Sequence, residues 1–323
     1  MEHVDALPVR GATYDDLDER TIRKHLDRAR DVGGLSAEEY LRKRRGVVEM
    51  EGQLVPTLGG LLCFGKQPQQ FLPFTGFSLT RYSGVTPNSK SILDIRDLEG
   101  TLFECIEAAV LYVRERGDEA YVIRDGLRRE PVPQFSPIVV RELVVNAAAH
   151  RDYRVAGSSV RIEMFRNAIE FSSPGGLPPG VTVLNILRAQ YTRNPIIVNF
   201  LYDGRLIERR GMGLPTVFDA QRAEGLDEPE MEDTGASFHI RVNGHRATNR
   251  YAALGLDGDL AIVYELVERA GRVGTTTAII APQLGKSERT TLRYLEELRV
   301  RGLISRSGEK SARRYHLIAS NDA

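Results

Sequence analysis

The chain has 323 residues, enough for two or three domains, because single hydrophobic cores usually stop growing before that size. Hydrophobic residues make up 41% and charged residues 27%, a balance that excludes a disordered or fibrous chain. Lys+Arg and Asp+Glu both number 44, so net charge by itself makes no case for a nucleic-acid partner.

The distribution of charge says more. From Lys286 to His316 there are nine Lys/Arg against four Asp/Glu, whereas Asp219 to Asp233 carries seven acidic residues and Arg222 as its one base. No run approaches the roughly eighteen apolar residues of a membrane span, and the opening MEHVDALPVRGATYDDLDER has neither a basic n-region nor an apolar h-region. A cytoplasmic protein with no membrane partner is expected. Cys63 and Cys105 each sit in an apolar helical pattern, which points to buried thiols rather than a disulfide or zinc framework.

Residues 1–12 lack periodicity and read as a flexible arm. Residues 13–96 read as a helical and αβ segment packing on the core. Asp15-Asp16-Leu17-Asp18-Glu19 precedes Ile22, Leu26 and Ala29 at helical spacing, and Ser36 with Glu39 forms a capping-box pattern for a second helix. Pro56-Thr57 opens a buried apolar helix over Leu58 to Phe64, and Gly76 to Tyr82 alternates as a strand. Gly60 to Lys66 matches the start of a P-loop pattern. That reading fails because Leu-Leu-Cys-Phe fills the loop and Gln67 stands where a magnesium-binding Ser/Thr is needed.

Residues 97–242 read as the main domain. Leu98, Leu102, Ile106, Val110 and Val113 form the stripe of a long helix that should pack on a sheet. Val160, Ile162 and Met164, then Ile169 and Phe171, alternate about Arg166-Asn167 as a hairpin. Residues 243–257 read as a linker, and 258–323 as a separate compact unit.

Ser136-Pro137 starts a helix through His150. Val140, Leu143, Val144 and Ala147 form its apolar face, while Glu142, Asn146 and His150, at i, i+4 and i+8, share the other face with Arg151 and Asp152 just beyond. Such a polar stripe either faces water or lines a site. Glu142 with His150 is also weighed as a metal pair, though two ligands lack a third.

Arg-Glu-Leu-Val-Val-Asn-Ala-Ala-Ala-His-Arg-Asp-Tyr, then a hairpin, Ser172-Ser-Pro-Gly-Gly-Leu-Pro178 and Arg209-Arg-Gly-Met-Gly-Leu214 resemble the RecG-like, Schlafen-associated ATP-binding regulator family. The likeness runs from about Asp15 to Val242. It implies an α+β fold with a core similar to the GHKL ATPases, and ATP and Mg2+ as cofactors. Glu142 would then be the catalytic general base and Asn146 the magnesium ligand. Arg151, Asp152, Ser173, Gly175, Gly176, Gly211, Gly213 and Ser237 would contact nucleotide, the glycines letting backbone approach it and the helix after Gly213 offering its N-terminal amides.

Three departures set hydrolysis in question. Ser173 stands where the adenine-reading Asp should be, Pro174 replaces a glycine, and the linking segment is not glycine-rich. In the family the core usually follows an AlbA-like domain; with the core starting so early in the sequence, none is expected here, and no helicase motor motif occurs.

After the linker, Leu260, Val263, Leu266 and Val267 mark one helix, Thr275 to Leu284 a second, and Ser287 to Arg301 a third, followed by two strands about a basic tip. This order resembles the winged helix-turn-helix. Lys286, Ser287, Arg289, Thr290 and Arg293 would face the major groove, with Arg306, Lys310, Arg313 and Arg314 on the wing against phosphates. A homodimer on double-stranded DNA follows, since one such module binds weakly. Three readings stand: a DNA-binding transcriptional regulator with a nucleotide-sensing core, an ATPase targeted to DNA, and a non-catalytic interaction scaffold.

Overall fold

The computed structural model describes residues 3–29, 32, 34–124, 128–207, 213–245, 251, 254–256, 258–308 and 313–318. The N-terminal part holds α1 (Glu19–Arg28), capped by Asp18, and α2 (Ala37–Arg44), closed by the Ser36/Glu39 capping box. A hairpin follows, β1 (Val47–Met50) and β2 (Gln53–Pro56), then α3 (Leu58–Phe64) and the single turn α4 (Pro68–Phe71). Every residue of α3 is buried, and a Cβ added at Gly60 would lie 1.9 Å from the Gly46 carbonyl oxygen. This packed helix has no loop to wrap a phosphate, which is why the P-loop pattern there is fortuitous.

The central elements are β3 (Phe77–Tyr82), β4 (Ile92–Leu98), α5 (Leu102–Arg116), the ribbon β5 (Glu119–Arg124) and β6 (Arg128–Pro133), α6 (Pro137–Ala149), β7 (Val160–Met164) and β8 (Ala168–Pro174). After them come α7 (Pro195–Asp203), α8 (Gly213–Ala223), β9 (Glu230–Asp233) and β10 (Ser237–Asn243). The sheet order is β4-β3-β7-β8-β10-β9, antiparallel except for the parallel pair β3 and β7. The crossover between those two strands runs through α5 and α6, which pack together on one face. Register aligns Leu79, Ile162, Phe171 and Ile240 in one buried row beneath the helices. Each such side chain contributes about 1.5–3 kcal/mol by leaving water.

Two expected boundaries shift. Residues 3–12 are not an arm: Val9 and Ala12 are buried, and the fully buried Asp5 carboxylate accepts the Ile196 and Ile197 amides at the start of α7. A polar cap formed across 191 residues leaves no local periodicity to read. The long helix begins at Leu102, with Thr101 as cap, and Leu98 closes β4 instead. That edge strand carries exposed Ile95, Arg96 and Asp97, so apolar alternation is missing from it. The division at 96/97 thus falls inside the central sheet.

The C-terminal unit comprises α9 (Gly258–Ala270), α10 (Thr277–Leu284), α11 (Glu288–Val300) and the ribbon β11 (Ile304–Ser307) and β12 (Arg314–Leu317). It has its own apolar cluster, which includes Tyr251 and Leu256 from the expected linker. The unit docks on the sheet edge: Arg81 of β3 pairs with Glu265 of α9, Arg269 donates to the Leu93 carbonyl, and Ser83 donates to that of Gln283. Among the described residues no helix is long and apolar enough to cross a membrane.

Candidate functional site

The ends of α6 and α7 are tied together by polar groups that local sequence leaves unsatisfied. Asn194, preceding α7, donates its side-chain amide to the carbonyls of Ala149 and Arg151 at the end of α6, while Asp5 takes the first amides of α7. This junction holds α7 beside α6 and leaves a cavity of about 500 Å³ walled by α6, β8, residues 175–193, α7 and the start of α8.

Glu142, Asn146 and His150 all line the cavity, so the polar stripe of α6 faces this hollow. Gly213 opens α8 directly against the first two. A Cβ added there would lie 3.1 Å from Glu142 Oε2, 3.1 Å from Asn146 Nδ2 and 3.3 Å from Asn146 Oδ1. The carboxylate therefore meets the positive end of a helix. Asn146 Nδ2 is buried with no hydrogen-bond partner among the described residues, an arrangement that usually costs about 1–3 kcal/mol. His150 lies exposed at the cavity mouth, where its backbone carbonyl accepts from Arg193. No group of three His, Cys, Asp or Glu suited to a metal occurs among the described residues, so the Glu142/His150 pair gains no third protein ligand.

Ser173, Gly175 and Gly176 also line the cavity, with reasons of their own. The Ser173 hydroxyl donates to the Ala147 carbonyl at 2.9 Å, fixing β8 to α6. Gly175 has φ +91°, and a Cβ there would lie 2.4 Å from that of Asp152. At Gly176 it would lie 2.8 Å from the Gly235 backbone. These glycines let strand turns pack on one another, whatever a ligand adds.

Other expected contacts do not reach the cavity. Arg151 is 1% exposed and donates to the carbonyls of Phe74 and Ser158, both at 2.8 Å, with its guanidinium 5.0 Å from the Tyr153 ring centroid. It is an internal staple. Asp152 is bound by Arg154 at 2.6 Å and approached by Arg193 at 4.0 Å, which holds its carboxyl below the usual carboxylate range. Ser237 lies on the other face of the sheet, bonded to His239, because strand alternation gives the cavity side to Phe238 and Ile240. Gly211 lies outside the described residues.

Sequence reading missed two cations in the wall. Arg141 donates to the Leu206 carbonyl at 2.8 Å, and Arg193 to that of Gly176 at 2.6 Å. Arg141 adjoins Glu142 in sequence and could have been found; Arg193 sits in an irregular stretch without periodicity.

In the C-terminal unit, Ser287 caps α11 by accepting the Thr290 amide, and Arg289 and Arg293 are exposed on its first turns without an ion pair among the described residues. Lys286 pairs with Asp259 at 3.3 Å, and Arg306 lies 3.6 Å from Glu296. Arg314 donates to the Val273 and Gly274 carbonyls, and Arg313 is half-buried with Nε unpartnered among the described residues. Lys310 lies outside the described residues.

Residues 157–242 match the family model described as "Putative ATP-dependent DNA helicase recG C-terminal". This part of the chain, from β7 to β10, is thus similar to the RecG C-terminal ATPase-type domain, a family compatible with ATP and Mg2+. The solved structure of the DIP2311 protein from Corynebacterium diphtheriae is similar over 98% of this chain, with a TM-score of 0.62 and 21% identity. That likeness is one of fold, and this chain covers 64% of the other's length. No curated protein matches the chain.

Proposed function

We propose that the large cavity binds a nucleoside triphosphate with Mg2+ and that the chain is a DNA-binding transcriptional regulator whose core responds to that ligand. The observation that carries the nucleotide reading is the buried, unpartnered Asn146 amide beside Gly213 and Glu142. A bound group can complete the amide's hydrogen bonding, and the missing Cβ at Gly213 leaves room for it. Asn146 would hold the magnesium through its carbonyl oxygen, the α8 amides would face phosphate, and Arg141 and Arg193 would balance charge. Magnesium supplies charge neutralisation of the phosphates when bound.

Thermal stability with and without ATP and Mg2+ tests this reading in wild type and Asn146→Ala. A ligand at a hundred times its Kd stabilises the folded state by about 2.7 kcal/mol, a shift of several degrees. The shift is expected in wild type and absent in the variant; no shift in wild type at saturating nucleotide overturns it.

A second reading, hydrolysis, draws on Glu142, the one carboxylate in the cavity wall among the described residues, sited at the start of α8 that would face phosphate. Magnesium-dependent phosphate release lost in Glu142→Ala would favour it. A non-catalytic scaffold, the remaining reading, predicts neither signal.

The DNA reading treats α9 to β12 as a winged helix with α11 in the major groove, supported by the exposed Arg289 and Arg293, which make no ion pair among the described residues. Paired copies on a pseudopalindrome are proposed with it. If both arginines neutralise phosphates, Arg289→Ala/Arg293→Ala lowers the slope of log K against log salt by about two. An unchanged slope would place DNA contact elsewhere or nowhere.

A further inference from the structure

Beyond α7 from the nucleotide cavity, a second cavity of about 320 Å³ opens between the end of α2, the N-terminal segment and the first turn of α7. Among the described residues its charged lining has one sign: Lys43, Arg44 and Arg45, with His3 beside them and Asn199 as a polar neighbour, and no carboxylate.

Arg44 is fixed in place. Its Nε and Nη2 donate to the two oxygens of Asp203 at 2.7 and 2.8 Å, and Asp203, itself 1% exposed, also accepts the Tyr40 hydroxyl. The pairing occupies one edge of the guanidinium and leaves the Nη1 donors for the cavity. A planar fork held this way gives up little freedom when it binds an oxyanion.

Lys43 and Arg45 are exposed and make no ion pair among the described residues, whereas their neighbour Arg42 is engaged by Glu38 and Glu49. Basic residues at a helix C-terminus complement its dipole, and that alone would explain a charged last turn. It does not explain a concave lining, without a carboxylate among the described residues, around an immobilised guanidinium.

We infer that this cavity is a separate binding site for a phosphate group, held by Arg44, Lys43 and Arg45. Phosphate oxygens suit the fork of an arginine and the point charge of a lysine, and a dianion offsets the two unpaired cations. The site stands independently of what the larger cavity takes, although Asn199 on α7 borders both.

Calorimetric titration of the full chain with inorganic phosphate, and separately with a short DNA duplex, tests the site in wild type, Lys43→Gln/Arg45→Gln and Asn146→Ala. Both glutamine positions are exposed, so matching melting curves will verify that the variant folds. Phosphate should bind wild type and Asn146→Ala alike and bind the double variant at least about tenfold more weakly, as expected for lost charge-assisted hydrogen bonds. If duplex affinity falls in step, the phosphate belongs to a nucleic-acid backbone; if it does not, the ligand is free phosphate or a small phosphomonoester. No phosphate binding to wild type, equal binding by the double variant, or loss in Asn146→Ala, which would put the anion in the other cavity, overturns the inference.

Discussion

Glu265→Ala tests how the C-terminal unit is joined to the sheet. Glu265 has a side chain 9% exposed, accepts Arg81 Nη1 at 2.5 Å and lies 3.5 Å from Arg269 Nε. Burial, with Arg81 and Arg116 nearby, lowers the Arg269 pKa, and Glu265 is the first group opposing that trend. Truncation leaves two guanidiniums facing one another at an interface with little water. Breaking a buried pair by removing one partner typically costs about 3–5 kcal/mol, and the 11% and 23% exposure of the two arginine side chains points to the lower end, about 3 kcal/mol.

Urea unfolding followed by far-UV circular dichroism reads the loss, with the transition of the C-terminal unit separating from that of the core. Arg81→Met/Glu265→Leu should recover more than half of it, because the two guanidiniums no longer repel one another and only Arg269 is left without this carboxylate. A loss below about 1 kcal/mol for Glu265→Ala, or a double variant no better than the single one, would refute the idea that this carboxylate holds the interface.

Gly213→Ala should leave basal stability within about 1 kcal/mol, since alanine favours the helix while its Cβ crowds Asn146. It should abolish the nucleotide-dependent melting shift; a shift of wild-type size would exclude close approach of ligand at α8. Arg151→Met should destabilise by about 2–5 kcal/mol by stranding the Phe74 and Ser158 carbonyls, with nucleotide affinity unchanged in protein still folded at low temperature. A stable variant with lost affinity would restore Arg151 as a ligand contact.

The pH dependence should carry the mark of His25, which is buried against Tyr40 and whose pKa burial lowers from 6.5 to about 4. The unfolded chain binds its proton first, so the stability this residue provides is complete above pH 6.5 and is lost as pH falls toward 4, by about 3 kcal/mol. Comparing denaturant midpoints of wild type and His25→Gln across that range isolates the effect; parallel curves would exclude it.

Much of the site could be read along one helix. Ser136-Pro137 marked the start of α6, and the four-residue spacing of Glu142, Asn146 and His150 put them on one face, where the cavity is. The hairpin of β7 and β8 was equally plain, because each strand buries one side and alternates accordingly. Arg151 and Asp152 continued the same polar run, yet they follow the last helical turn, and the chain's change of direction sends Arg151 inward to carbonyls. Ser237 matches the family motif, but strand alternation turns it away and gives the cavity side to Phe238 and Ile240.

Local physics acts within a few residues, so composition, periodicity and capping determined from sequence alone that this is a mixed α and β protein with a polar helix face and a basic C-terminal unit. Tertiary structure decided what those features meet. Asp5 caps a helix 191 residues away, Arg193 closes the cavity wall, and Arg44 is held by Asp203 across 159 residues. Each satisfies a buried polar group whose partner is set by the packing of distant elements rather than by any neighbour in the chain.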